Sequence, residues 1–136
     1  GIRRSQRLLL TWLIETPALF EKIEGIITAD DFVEHLYHQV AQMVFDGHRE
    51  GNLNPAAILS RFINDEDQYK EVAALFNASL KESLNNEEQK KAFSETVMKV
   101  RKNSLDVASR NAKDITQLQE IIRQQAALKQ LHISLD

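Results

Sequence analysis

The chain has 136 residues, 43% of them hydrophobic and 27% charged, with no cysteine and a formal net charge of -3. That length suits one domain, or one domain with an appendage, burying about two-thirds of its unfolded surface. A disulfide framework and thiolate metal sites are excluded, and no apolar run approaches the ~18 residues that span a bilayer.

The first predicted helix runs from Ser5 to Glu15 with Leu8, Leu9, Trp12 and Leu13 inward. Thr16-Pro17 supplies an N-cap and a first helical residue for a short second turn that buries Leu19, Phe20 and Ile23 and ends at Gly25. Thr28-Ala29-Asp30-Asp31 reads as the cap and acidic first turn of a third helix reaching Phe45, with Phe32, Leu36, Val40 and Met43 inward. Gly47 and Gly51 then flank a polar loop.

Asn54-Pro55 repeats the cap-plus-proline start before a stripe of Ile58, Leu59 and Phe62. Asp65 opens a helix that uses Tyr69, Val72, Leu75 and Phe76 and frays toward Leu84. The 81 residues after Pro55 contain neither glycine nor proline, the two residue types that break helices most readily, so long rods are expected from there to the end. Asn86 with Gln89 makes a capping-box-like start for one rod, which carries Phe93, Val97, Val100 and Val107 inward. Asp114 with Gln117 caps a final helix striped by Ile115, Leu118, Ile121, Ile122, Leu128, Leu131 and Leu135.

Residues 109–114 form either a turn or a polar patch on one continuous rod. A lone rod would expose its whole stripe, so a hairpin is favoured. With no alternating strand pattern, the expected fold is all-α: a helical bundle over residues 1–85 followed by a C-terminal hairpin of long helices over 86–136.

Chemistry is sparse. Residues 1–86 hold 13 acidic and 8 basic side chains (net -5), and residues 87–136 hold 7 and 9 (net +2). Direct nucleic-acid binding is not expected from so mild a basic bias. His35 and His38 share a helix face, but Glu34 precedes them rather than standing between two histidines four apart, and no third ligand is evident, so no metal is expected. Asp30-Asp31 and Asp65-Glu66-Asp67 sit where helix N-termini favour negative charge, which suits capping better than acid–base catalysis. No glycine-rich phosphate loop and no glycine-flanked serine nucleophile is present, so neither a cofactor nor a small-molecule substrate is expected. Without a signal-peptide pattern a cytoplasmic location is expected, and the start at Gly1-Ile2-Arg3-Arg4 suggests excision from a longer protein.

The terminal stripe carries the functional expectation. Leu128, Leu131 and Leu135 lie near the chain end, where little sequence remains to cover them. They are read as apolar anchors for a protein partner, with Gln125, Lys129 and His132 as rim contacts.

Several stretches carry a resemblance: Gln6-Arg7-Leu8-Leu9-Leu10 with Leu13-Ile14 and Pro17-x-Leu19; Asp31-Phe32 with Tyr37-His38 and Val40; the Gly47 to Gly51 segment before Leu53-Asn54; and Phe93 through Val100 before a polar helical tail. In order and spacing the chain resembles the C-terminal helicase-binding domain of bacterial DNA primase, of the DnaG type, over essentially its full length. The resemblance implies a helical bundle and hairpin that dock on the N-terminal domains of the hexameric replicative helicase, bring primer synthesis to the fork and modulate both activities. It also implies that zinc-binding and RNA-polymerising modules lie elsewhere in the parent primase, so that these 136 residues are not themselves an enzyme and are monomeric alone. The nearest alternative is the N-terminal domain of the helicase itself, which tends to have His-Arg where this chain has Tyr37-His38. A non-replicative helical adaptor that dimerises is the other.

Overall fold

A computed structural model describes residues 1–77 and 85–133. It is all-helical: α1 (Ile2–Glu15), α2 (Phe20–Ile23), α3 (His35–Glu50), α4 (Pro55–Ser60), α5 (Glu66–Asn77), α6 (Asn86–Arg110) and α7 (Ile115–Leu128), with 3-10 turns at Pro17–Leu19 and Ala29–Asp31. Among the described residues there is no strand.

The core follows from the apolar periodicity. Leu9, Leu10 and Leu13 of α1, Val40 and Val44 of α3, Val72 and Leu75 of α5, and Phe93, Val97 and Val100 of α6 are all buried in one cluster. Each contributes about 1.5–3 kcal/mol of burial. Trp12 meets Phe93 edge-to-face at 6.0 Å, so the first half of α6 belongs to the same core as α1, while its later turns face α7. Leu19 is half-buried against the core, Leu8 is half-buried outside it, and Tyr69 is exposed.

Several local expectations are corrected. Thr28 opens a single 3-10 turn, not a helix: Asp31 returns a carboxylate oxygen to the Thr28 N–H at 2.9 Å, and Phe32 leaves the helical region. The third helix begins at His35, where the Glu34 carboxylate accepts the Tyr37 N–H at 3.0 Å. It runs past Phe45 to Glu50, so Gly47 lies inside it rather than in a loop. A Cβ at Gly47 would stand 3.1 Å from the Leu53 Cα, so glycine there permits the returning chain to pack against the helix. Gly51, at φ 75°, is the left-handed C-cap.

Asn54 and Asp65 cap as expected, accepting the Ala57 and Gln68 N–H groups at 3.2 and 3.0 Å. The capping box of α6 is one residue earlier than expected, with Asn85 and Glu88 as reciprocal partners instead of Asn86 and Gln89. Farther along α6 Leu105 is buried and Val107 only half-buried. Leu84, toward which α5 was expected to fray, lies outside the described residues.

Candidate partner-docking surface

The rods fold back as a hairpin. α6 ends at Arg110, where the Asn111 N–H reaches the Val107 and Ala108 carbonyls at 3.2 Å each. Asp114 then starts α7, its carboxylate accepting the Gln117 N–H at 2.8 Å while the Gln117 side-chain oxygen accepts the Lys113 N–H at 2.9 Å. This reciprocal cap, with no helix-breaking residue nearby, reverses the chain.

The terminal stripe separates into two faces. Leu118, Ile121, Gln124, Gln125 and Leu128 are half-buried toward α6. Ile115 and Ile122, seven residues apart, face outward at 71% and 52% exposure. No residue of α7 is fully buried. In the sequence both sets fall on one helical stripe, because a 14-residue helix with seven apolar positions gives no cue to which flank meets its neighbour.

Gln125, Leu128 and Lys129 are brought together around a groove of about 340 Å³ whose opposite wall is Met98, Lys102 and Asp106 of α6. Leu131 stands apart, packed against the bundle core; His132 is exposed; Leu135 lies outside the described residues. Ile133, not among the expected contacts, is buried in the core cluster. The final helix was expected to reach Leu135 but stops at Leu128.

Polar ties fix the hairpin. Gln125 donates to Asp106 at 3.2 Å, and Lys102 donates to the other oxygen of Asp106 at 2.8 Å. The hydrogen bond from Lys102 outweighs partial desolvation and lowers the Asp106 carboxyl below its ordinary range. On the solvent side Arg123 and Gln124 both donate to Glu120, which holds that carboxyl down at about 2.

A second node joins hairpin and bundle. Asp31, its side chain only 4% exposed, pairs with Arg101 of α6 at 2.7 Å, and Arg101 also donates to Gln124 of α7 at 3.0 Å. Asp31 thus has a role beyond capping that sequence spacing could not reveal, since its partner is 70 residues away.

At the far side of the bundle Arg3 bridges Glu34 at 3.0 Å and also pairs with Glu71, which accepts from the Tyr37 hydroxyl at 2.6 Å. Burial alone would raise the Glu71 carboxyl, but the hydrogen bonds from Tyr37 and Arg3 together hold it below its ordinary range. Burial and the same bond to Glu71 push the Tyr37 phenol well above its ordinary value.

His35 contacts Gln39, and His38 Nδ1 meets the Ala29 carbonyl at 3.1 Å. Among the described residues no three His, Asp or Glu side chains stand close enough to share a metal ion. Another groove, of about 730 Å³ between the end of α3 and α4, is lined by Met43, Leu53 and Ile58 with Asp46, Glu50 and Arg61, and Asp46 is already paired with Arg49. Among the described residues no helix is long and apolar enough to cross a membrane. Comparison with protein-family models, curated proteins and solved structures found no match.

Proposed function

We propose that the chain is a protein-docking domain of the bacterial primase type, which presents its hairpin to the N-terminal domains of the hexameric replicative helicase in the cytoplasm. On this reading it recruits the priming enzyme to the fork, modulates both partners and performs no chemistry itself. The observation that supports the reading is α7, an amphipathic helix lying along α6 with Ile115 and Ile122 uncovered and a groove open beside Leu128. Pattern resemblance in the sequence supplies the identity of the partner.

Magnitudes fit a weak single contact. Burying what remains exposed of Ile115, Ile122 and Leu128, at no more than about 2 kcal/mol each, yields at most roughly 6 kcal/mol gross, against association costs of about 4–15 kcal/mol. One hairpin alone therefore binds feebly, and a ring that offers several equivalent sites raises the effective affinity of a multiply attached assembly.

The test is calorimetric titration of the chain into hexameric helicase, with Leu128→Asp as the variant. The reading expects saturable binding that the variant weakens at least ~10-fold, about 1.4 kcal/mol, by placing a charge in the groove. Absence of binding at low salt overturns it. The outward Ile115–Ile122 face also suits pairing of two copies, so sedimentation matters: a dimer abolished by Ile122→Asp transfers the reading to a dimerising adaptor.

A further inference from the structure

The end of α7 is built unlike its beginning. After Leu128 the helix tightens, with Gln130 N–H to Ala127 O at 3.0 Å and Leu131 N–H to Leu128 O at 3.1 Å. Residues 131–133 then leave the helix, and side chains alternate in, out and in: Leu131 packs against the bundle core, His132 is exposed, and Ile133, 9% exposed, joins the core cluster. No glycine or proline forces this exit. Burial of two apolar side chains in the bundle competes with another helical turn and wins.

α7 itself contributes no residue to the buried core. It has 14 residues and no fully buried side chain, a length at which isolated helices are marginal in water (about 12–15 residues). Among the described residues its side-chain hydrogen bonds to α6 are two glutamine bonds, Arg101 to Gln124 at 3.0 Å and Gln125 to Asp106 at 3.2 Å. The Asp31–Arg101 pair and the cluster around Leu9, Phe32 and Phe93, by contrast, include no residue of α7. The segment that follows α7 is what joins this end of the hairpin to the buried core.

We infer that residues 129–133 are a strap that pins α7 onto α6, and that releasing the strap lets α7 lift away while the bundle stays folded. The released state uncovers Leu118, Ile121 and Leu128 together with Ile115 and Ile122, so the domain has a closed and an open form of its hairpin. This goes beyond the docking reading and does not depend on which protein docks.

Native-state hydrogen exchange on the whole chain tests it, comparing wild type with Ile133→Asp and the milder Leu131→Ser. The expected result is exchange at least ~10-fold faster across residues 119–128 in Ile133→Asp and about 3-fold faster in Leu131→Ser, with amides of α1 and α3 within about 2-fold of wild type. Unchanged protection of α7 in both variants overturns the strap. So does equal acceleration of α1, α3 and α7, which makes Leu131 and Ile133 ordinary members of one cooperative core. If Ile133→Asp does not fold, the pattern in Leu131→Ser decides between these outcomes.

Discussion

Replacing Arg101 by methionine removes the guanidinium while keeping most of the aliphatic stem, and leaves the Asp31 carboxylate, 4% exposed, with the Thr28 N–H as its remaining partner among the described residues. Breaking a buried ion pair from one side costs about 3–5 kcal/mol. Arg101 is 26% exposed, so water reaches the vacated position and the Thr28 bond at 2.9 Å persists, which places the cost at the low end, about 2–3 kcal/mol. Loss of the bond to Gln124 adds about 0.5 kcal/mol. With a urea slope of about 1–3 kcal/mol/M, the unfolding midpoint of Arg101→Met falls by about 1–3 M.

Asp31→Asn costs less, about 1–2 kcal/mol, because it leaves the cation, which water can reach, rather than a buried anion. The double variant then recovers at least ~1 kcal/mol relative to the sum of the singles. A midpoint shift under about 0.3 M for Arg101→Met, or strict additivity in the cycle, refutes the claim that this pair fastens α6 to the bundle.

Two further substitutions probe the bundle. Gly47→Ala gains about 1 kcal/mol of helix propensity, yet its Cβ meets the Leu53 Cα at 3.1 Å, and the Asn52 N–H bond to Gly47 O at 2.8 Å holds that backbone close. The expected net is a loss of up to ~1 kcal/mol in chemical denaturation; a gain shows that the crossing relaxes freely. Glu71→Gln removes charge from the bonds to Tyr37 and Arg3 and lowers stability by about 1 kcal/mol at neutral pH. Because the folded-state value of Glu71 is depressed below its ordinary 4.5, the wild-type advantage is full above that pH and is lost as pH falls through the folded value. A wild-type advantage that persists unchanged at pH 2 contradicts the assignment. Ultraviolet titration is expected to show the Tyr37 phenol ionising well above the ordinary 10, with Glu71→Gln moving it toward that value; ionisation at 10 in wild type contradicts the buried hydrogen bond.

Helical periodicity made the fold class and most of the core legible in the sequence, because i, i+3 and i+4 spacing directly encodes a buried face, whereas the turn between α6 and α7 was favoured only because a lone rod would expose its stripe. Caps were legible where side chain and helix start are adjacent, as at Asn54 and Asp114. They were misplaced where two candidates compete: Thr28 and Glu34 both cap, one a 3-10 turn and the other a helix, and only the burial of Phe32 between them decides which continues. Gly47 read as a loop residue because close backbone approach and turn formation favour the same amino acid.

The terminal stripe was harder. Leu131 of the expected stripe serves the bundle together with Ile133, which the stripe did not include, while Ile115 and Ile122 remain uncovered. That allocation depends on where α7 stops, which nothing local in Lys129-Gln130-Leu131 marks. The Asp31–Arg101 pair was invisible for the related reason that periodicity reports faces, not which distant faces meet.

Nuclear magnetic resonance mapping with the isolated N-terminal domain of the replicative helicase tests the docking account most directly. The account predicts shift changes concentrated on Ile115, Ile122, Gln125, Leu128 and Lys129 and the facing Met98 and Lys102, with α3, α4 and α5 silent. Changes centred on α3–α5, or no changes at millimolar helicase domain, contradict it.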